Sequence, residues 1–425
     1  MATEHRAADH ESIKTGASYS NCSDGADTVP DVNVPARHGR LPRRGAVKPI
    51  LAGIASVMGV VLASTSAVAG IAVWQLSEKL GPGVIIEQEG EAPPAVGPID
   101  GPVNILLVGS DSGGGNADYG ERGENLNDVT ILLHISPVAH TAIAVSFPRD
   151  LYVPITGCES SPGTRKINEA LYNGGLACAV STVEALSGQN IGYAAQIEFD
   201  GVIEMSDAVG GVTVCVAEPI HDLQIHLDME PGEHTIGGFT ALQFLRSRHG
   251  VGDGSDTARI GNQQLFLSAL MRKIKAEGTL TNPITVYALA SAAANNMELS
   301  TSLNSLDTMA SMALAVKDIP LKNIAFVSYP SGSGAMFGVG GRIPDYTSAK
   351  VLMDAIKADA QIVVTGDPAG GALPGEDIVE TTPTPTATST APPTIAPEAP
   401  DIVELPSSIT GQQATEKTCT DGNTF

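Results

Sequence analysis

From Pro49 to Ser77 the sequence carries no charged residue. Within that stretch Ile50 to Leu76, ILAGIASVMGVVLASTSAVAGIAVWQL, exceeds the roughly 20 apolar residues needed to cross a bilayer. The run is read as a single transmembrane helix over 49–77. A cleaved signal peptide is the competing reading, but the segment is too long for such an apolar core and starts too far from Met1. Arg37, Arg40, Arg43, Arg44 and Lys48 precede the span, whereas Glu78 and Lys79 follow it. The excess of positive charge before the span places 1–48, a polar segment that reads as disordered, in the cytoplasm and the remainder outside the cell membrane.

Cysteine usage agrees with that topology. Cys22 falls on the inner side, leaving Cys158, Cys178, Cys215 and Cys419 in an oxidising compartment. Cys158 with Cys178 is the favoured pair, because a short loop-to-helix segment could be closed that way, which leaves Cys215 for Cys419. The alternative is a free Cys419 in a loose tail. No Cys-x-x-Cys or clustered histidine set argues for zinc. The net charge is −23 and the pI about 4.6, so a general nucleic-acid binder is not expected.

Gly, Pro and Glu make 78–102 a spacer, after which an ordered domain is expected over 103–365. Apolar strand-like runs at 103–109, 129–135, 141–147, 211–216 and 323–329 interleave with helix-like segments at 166–173, 179–187, 283–296 and 303–316. Continuous apolar strands between amphipathic helices imply a sheet covered on both faces, an α/β fold. From Pro374 to about Pro406 the composition turns to Pro, Thr, Ala and Glu, so 366–425 reads as a low-complexity tail, whose end, with Cys419, returns to the domain if that disulfide forms.

Against the acidic background, FLRSRHGVGDGSDTARIGNQQ at 244–264 gathers arginines. A short helix ends by delivering Arg246 and Arg248 towards a glycine loop. A second helix starts near Thr257 with Asp256 as N-cap, its apolar stripe running through Ile260, Leu267, Leu270, Met271 and Ile274. Arg259 and Gln263 fall at the edge of that stripe, where a charge needs a partner. Helix-start amides and paired guanidinium forks suit a phosphate or pyrophosphate; surface ion pairs are the bland alternative.

Other chemical positions fall at strand ends. NILLVGSD puts Asp111 just past a buried strand, where open α/β sheets bind ligands, so it is either a functional acid or a turn former in SDSGGG. Asp128 in LNDVTILLHI precedes the next strand, so the two carboxylates can meet if those strands are antiparallel neighbours. Two such oxygens with phosphate and water commonly hold Mg²⁺. SFPRDLYVPI carries Arg149 and Asp150 as a strand leaves the sheet, with a surface ion pair as the alternative reading, and Lys166 in RKINEALYNGG is a weaker candidate. This mixture fits phosphoryl transfer: arginines and a metal clamp the diphosphate and an aspartate accepts a proton.

In their order, NILLVGSD, DVTILLHIS, SFPRDLYVPI, KINEALYNGG, GGVTVCV and ALQFLRSRH followed by DTARIGNQQ resemble the LytR-CpsA-Psr family of bacterial envelope proteins, over roughly Val103 to Lys275. The resemblance implies a three-layer α/β/α sandwich around a central mixed sheet, with an apolar tunnel for a prenyl chain. It implies Mg²⁺-dependent transfer of a glycopolymer from a polyprenyl-pyrophosphate carrier onto peptidoglycan. By motif, Asp111 and Asp128 match the metal-associated acids, and Arg149, Arg246, Arg248 and Arg259 match the pyrophosphate-holding arginines. Asp150 and Asp256 match acids with a structural or proton-transfer role. The chain departs from the family in lacking an arginine soon after Asp111 and next to Asp128, for which Arg122 is a possible substitute. A non-catalytic lipid-phosphate-binding scaffold or regulator and a polyprenyl pyrophosphatase are the alternatives. The high Ala and Gly content and the extra cysteines resemble actinobacterial members.

Overall fold

A computed structural model describes residues 47–86, 101–111, 125–375 except 159, 161, 162, 277, 280 and 281, and 402–423. It falls into two units that divide at Ala63/Ser64, inside an apolar helix, α1, Val47–Lys79. By length and composition this is a helix able to cross a membrane. Nearly every described side chain from Ile50 to Gln75 is exposed. The first unit contributes only the beginning of α1; everything below belongs to the second.

The central sheet has seven strands. In chain order the strands that matter are β1 Val103–Ser110, β2 Asn127–Ser136, β3 Thr141–Ser146, β4 Tyr193–Ile197, β5 Val212–Val216, β6 Gly232–Ile236, β7 Met297–Leu299, β8 Ile324–Ser328, β9 Ala372–Pro374, β10 Gly411–Gln413 and β11 Thr418–Thr420. The main sheet runs β7-β4-β1-β2-β3-β8-β10, with parallel pairs at β4/β1 and β3/β8 and antiparallel pairs elsewhere. Every residue of β3 is buried, as a strand covered on both faces requires.

One face of the sheet packs Leu106, Leu132, Val145 and Val327 against α2 (Ala170–Ser187) and a late helix, Tyr346–Lys357. The other packs Ile105, Ile131, Ala144 and Phe326 against α5 (Asp256–Ala276) and α7 (Leu306–Lys317). On that side α3 (Phe199–Ala208) and α4 (Gly238–Arg246) share a cavity with the sheet, and α6 (Pro283–Asn296) is joined to α3. The expected α/β/α sandwich with a mixed sheet is what forms.

A second sheet, β6-β5-β11-β9, changes the reading of α5. Phe244, Leu265, Phe266 and Ala269 pack on Val212, Val214 and Ile236, so α5 is held between two sheets. It is buried around its whole circumference from Ala258 to Gln264, not amphipathic as its apolar spacing implied. Gly261 shows how tight the packing is, since a Cβ there would overlap the backbone carbonyl oxygens of Ala369 and Gly370. Gly→Ala in a helix normally stabilises by about 0.5–1 kcal/mol. Gly261→Ala is expected to do the reverse, lowering stability by roughly 1–3 kcal/mol through overpacking, read as a lower urea midpoint.

Two expected boundaries are corrected. The spacer over 78–102 is folded at its start: α1 continues to Lys79, Val84 bridges to Ser300, and Ile86 is buried. The ordered domain does not stop at 365. Residues 402–423 return after the Pro/Thr-rich segment, placing β10 at the edge of the main sheet and β11 between β5 and β9. Two three-residue strands are too short to leave an alternation in the sequence. Both favoured disulfides form, Cys158–Cys178 and Cys215–Cys419, the second joining paired residues of β5 and β11. The segment 166–173, expected to be helical throughout, instead ends a strand at Lys166, makes a 3₁₀ turn over Ile167–Glu169 and enters α2 at Ala170.

Candidate active site at the mouth of an apolar cavity

Between the sheet and the α3/α4/α5 side lies a cavity of about 290 Å³. Its walls include Leu107, Ile131, Ala144 and Phe326 from the sheet and Phe199 and Leu267 from the helices. Polar and charged groups gather at Ser110, Asp128, Arg246, Arg259 and Gln263. An apolar chamber ending in charges suits a ligand with a long apolar tail and an ionic head.

Asp128 reaches this mouth through a strand irregularity. Gly109 pairs with Val129 and Ser110 with Asn127, so Asp128 is an extra residue in β2, a bulge that re-aims its side chain. Gly109 permits the close pairing, since a Cβ there would come within 2.9 Å of Val129 Cβ. Asn127 braces the bulge: its amide donates to Thr130 Oγ1 (2.7 Å) and its carbonyl accepts the N–H of Leu171 (3.2 Å).

Arg149 Nη1 donates to one oxygen of Asp128 at 2.7 Å and Arg259 Nη1 to the other at 3.2 Å. Arg259 Nη2 also donates to the Asp128 carbonyl (2.8 Å) and contacts Asp256 Oδ1 at 2.7 Å. Asp256 accepts the backbone N–H of Arg149 at 3.1 Å and faces its Nε at 3.6 Å. Asp150 pairs with Lys166 Nζ at 2.6 Å. Three acids and three bases thus form one interlocked patch. Burial pushes the Arg149 guanidinium down, but Asp128, Asp256 and Asp150 together outweigh it, so its pKa lies above the ordinary arginine value and it remains a cation.

The helix-cap expectation for Asp256 is corrected. Asp256 is the first residue of α5, and Ser255 Oγ takes the capping bond from the Ala258 N–H at 3.2 Å. Ser255 is the better cap because Asp256 is occupied by two arginines. Arg246 stacks over the Phe199 ring at 4.2 Å and Gln263 donates to the Leu245 carbonyl, both at the cavity wall. Asp111 is buried just past β1, where Oδ1 accepts the Leu126 N–H at 3.0 Å. Arg122 lies outside the described residues.

Arg248 departs from the patch. Its Nε donates to the Gly254 carbonyl at 2.9 Å, and its backbone N–H is held by Asp222 at 3.2 Å. Asp222, which sequence reasoning passed over, also accepts from Ser247 Oγ (3.0 Å), Gly250 N (3.2 Å) and Gln224 N (3.1 Å). Burial pushes its carboxyl up, yet these donors prevail and hold it below the usual range. A folded-state value below the unfolded one stabilises fully above about pH 4 and loses that contribution as pH falls through the folded value. Asp222→Asn is therefore expected to flatten the stability–pH curve below about pH 4, with reduced stability at pH 7, by urea titration.

Arg342 is a second residue the sequence did not reveal. It sits in a glycine-rich hairpin, Ser331–Met336 with Val339–Pro344, and its backbone N–H donates to the Asp150 carbonyl at 2.9 Å. Its guanidinium bonds Ser331 and, at 3.4 Å, Thr257 Oγ1 at the start of α5. Only the pairing of hairpin and strand end brings it there, and nothing local in the sequence marks it. Among the described residues no three His, Cys, Asp or Glu side chains cluster as a metal cage.

The family description LytR_cpsA_psr matches residues 86–357. The probable cell wall biosynthesis protein LcpB of Corynebacterium glutamicum is 32% identical over 263 residues, 60% of this chain and 61% of LcpB. A polyisoprenyl-teichoic acid–peptidoglycan teichoic acid transferase, TagU of Bacillus cereus, is 33% identical over 184 residues, 43% of this chain and 55% of TagU. The chain therefore spans less than two thirds of the length of these curated relatives. Among solved structures, protein gbs0355 of Streptococcus agalactiae superposes with a TM-score of 0.53 at 26% identity, covering 60% of this chain and 87% of that one. A LytR-Csp2A-Psr enzyme from Actinomyces oris, at 20% identity and a TM-score of 0.50, covers 65% of this chain and 96% of its own and shares the fold.

Proposed function

The chain belongs to the LytR-CpsA-Psr family, and from that premise we propose that it is a membrane-anchored phosphotransferase moving a glycopolymer from a polyprenyl-pyrophosphate carrier onto peptidoglycan. The observation that carries this is the apolar cavity opening on the Arg/Asp patch. LcpB and TagU, named for cell wall biosynthesis and for transfer of teichoic acid to peptidoglycan, support the substrate class. In this reading α1 is the anchor, the N-terminus is cytoplasmic, and the two disulfides sit in the oxidising exterior that suits them.

The prenyl chain occupies the cavity and the diphosphate lies at its mouth. Arg149 and Arg259, already fixed by Asp128 and Asp256, offer preorganised donors to oxygens that gain charge in the transition state. Arg246 flanks the path from the α4 side, over the Phe199 ring. An acceptor hydroxyl attacks the phosphorus attached to the sugar, the bond to the prenyl phosphate breaks, and prenyl monophosphate leaves. Asp150 is the more accessible acid, at 22% side-chain exposure against 6% for Asp256. That makes Asp150 the acceptor for the hydroxyl proton and Asp256 an organiser of arginines.

Two carboxylates at adjacent strand ends fit Mg²⁺, which is typically bound through one or two protein carboxylates plus phosphate oxygens and water. Asp111 and Asp128 would hold it, and its chemistry there would be to neutralise charge on the diphosphate. Both oxygens of Asp128 engage arginines, so ligand entry must redistribute those contacts.

The test supplies purified full-length protein with a synthetic polyprenyl-diphosphate saccharide, with and without peptidoglycan fragments. Saccharide coupled to peptidoglycan with release of prenyl monophosphate is the expected result. Release at equal rate without acceptor would make it a pyrophosphatase, and binding with neither product would make it a scaffold.

A further inference from the structure

The helix α6, PITVYALASAAANN, contains no charged residue. Only Ala292 and Ala294 are buried, whereas Ile284 is 79% exposed and Val286 and Tyr287 are 40% and 37% exposed. A water-facing helix normally places charge on its outer side, so this face calls for an apolar covering.

The end of α1 indicates what that covering is. Lys79 Nζ donates to Ser291 Oγ at 3.0 Å. Leu80, Gly81 and Pro82 then share a small cavity with Ala294, Met297 and Leu299, and Val84 bridges to Ser300 in parallel. The two segments advance in the same sense. Stepping back from Ser291 to Ile284, about 10 Å at 1.5 Å per residue, is therefore stepping back along α1 towards its uncharged run. Ile284 and Tyr287 share a helix face with Ser291, being seven and four residues before it.

We propose that the first half of α6 lies in the bilayer interface beside the anchor, with Ile284, Val286 and Tyr287 in contact with lipid. This rests on the reading of α1 as a membrane anchor. A tyrosine suits the headgroup level, where its ring is apolar and its hydroxyl wet. The arrangement has a use: α6 is fastened to α3 by Asn296, whose side-chain amide donates to Glu204 at 2.8 Å and whose backbone carbonyl accepts the N–H of Glu198, the residue before α3. Phe199 and Val202 of α3 line the apolar cavity. Lipid contact at α6 thus holds that cavity wall near the depth from which a prenyl chain must enter.

The test uses the full chain with Cys22→Ser, reconstituted in phosphatidylcholine/phosphatidylglycerol vesicles. An environment-sensitive fluorophore is placed at Ile284→Cys, at Tyr287→Cys or at Val138→Cys. Val138 is an exposed residue in the turn beyond β2, roughly 30 Å along that strand from the site. Nitroxide lipids are expected to quench the first two probes roughly two-fold or more, matching a depth of about 5–10 Å, and to leave the third unquenched. Quenching at 284 and 287 no greater than at 138 overturns the proposal, as does crosslinking of Ile284→Cys to a second copy without lipid quenching. Carbonate extraction of the same vesicles separates the two readings. Resistant protein without quenching rejects the lipid contact of α6 alone, and extracted protein rejects the anchor as well.

Discussion

Arg259→Ala is expected to reduce transfer roughly 10³-fold, the scale seen when a preorganised donor or arginine is removed from a site where negative charge develops. Arg259 and Arg149 both bridge Asp128 and Asp256, and Arg259 is the more buried of the two, at 6% side-chain exposure against 20%. Removing it leaves Arg149 alone to balance both acids, and breaking a buried pair costs about 3–5 kcal/mol. Stability and turnover must therefore be measured together. Arg259→Lys keeps the charge but cannot span both carboxylates, so it should recover part of the stability and little of the rate. Arg259→Gln combined with Asp128→Asn should relieve the unbalanced charge without restoring transfer. If Arg259→Ala coupled saccharide to peptidoglycan at the unaltered rate, the proposed function would be wrong.

Truncation after Gly375 is expected to prevent accumulation of folded protein, because the last residues hold α5 and the arginine loop from outside. Thr420 Oγ1 donates to Asn262 at 2.5 Å, and Gln412 donates to the Gln264 carbonyl at 3.1 Å. Asn423 donates its backbone N–H to the Gly250 carbonyl and its amide to Gly252, both at 2.8 Å, clasping the loop that bears Arg248. Removing β11 also separates β5 from β9. The milder Cys215→Ser/Cys419→Ser protein keeps these bonds but loses a link between residues 204 apart. Loop-closure entropy puts that loss at about 5 kcal/mol, visible as a large drop in melting temperature and as sensitivity of the parent to reductant. An unchanged melting temperature in both the double variant and the truncated protein would show that the C-terminal segment is not part of the stable domain.

The site was largely legible as a set of residues, and much less so as a geometry. Asp128, Arg149, Asp150, Asp256, Arg259 and Lys166 do meet, because strand ends and a helix start at one end of a sheet are forced together once the strand order is known. Arg248 carries the same local signal as Arg246 yet is turned aside by Asp222, a residue 26 positions away. Asp256 looked like a cap because the sequence shows a carboxylate before a helix; it cannot show that two guanidiniums already occupy it.

By itself the sequence determined the apolar span, the covered strands of the main sheet, the arginine-rich helix start and the cysteines available to join. Each of these is a local pattern, set by side-chain period, helix-end chemistry or composition over a few adjacent residues. Tertiary structure alone decided that residues 402–423 complete both sheets, that α5 is buried on all sides, and that Asp128 points to the cavity from a bulge. These depend on pairings between residues up to about two hundred positions apart, and a strand of three residues carries too little pattern to announce its partner.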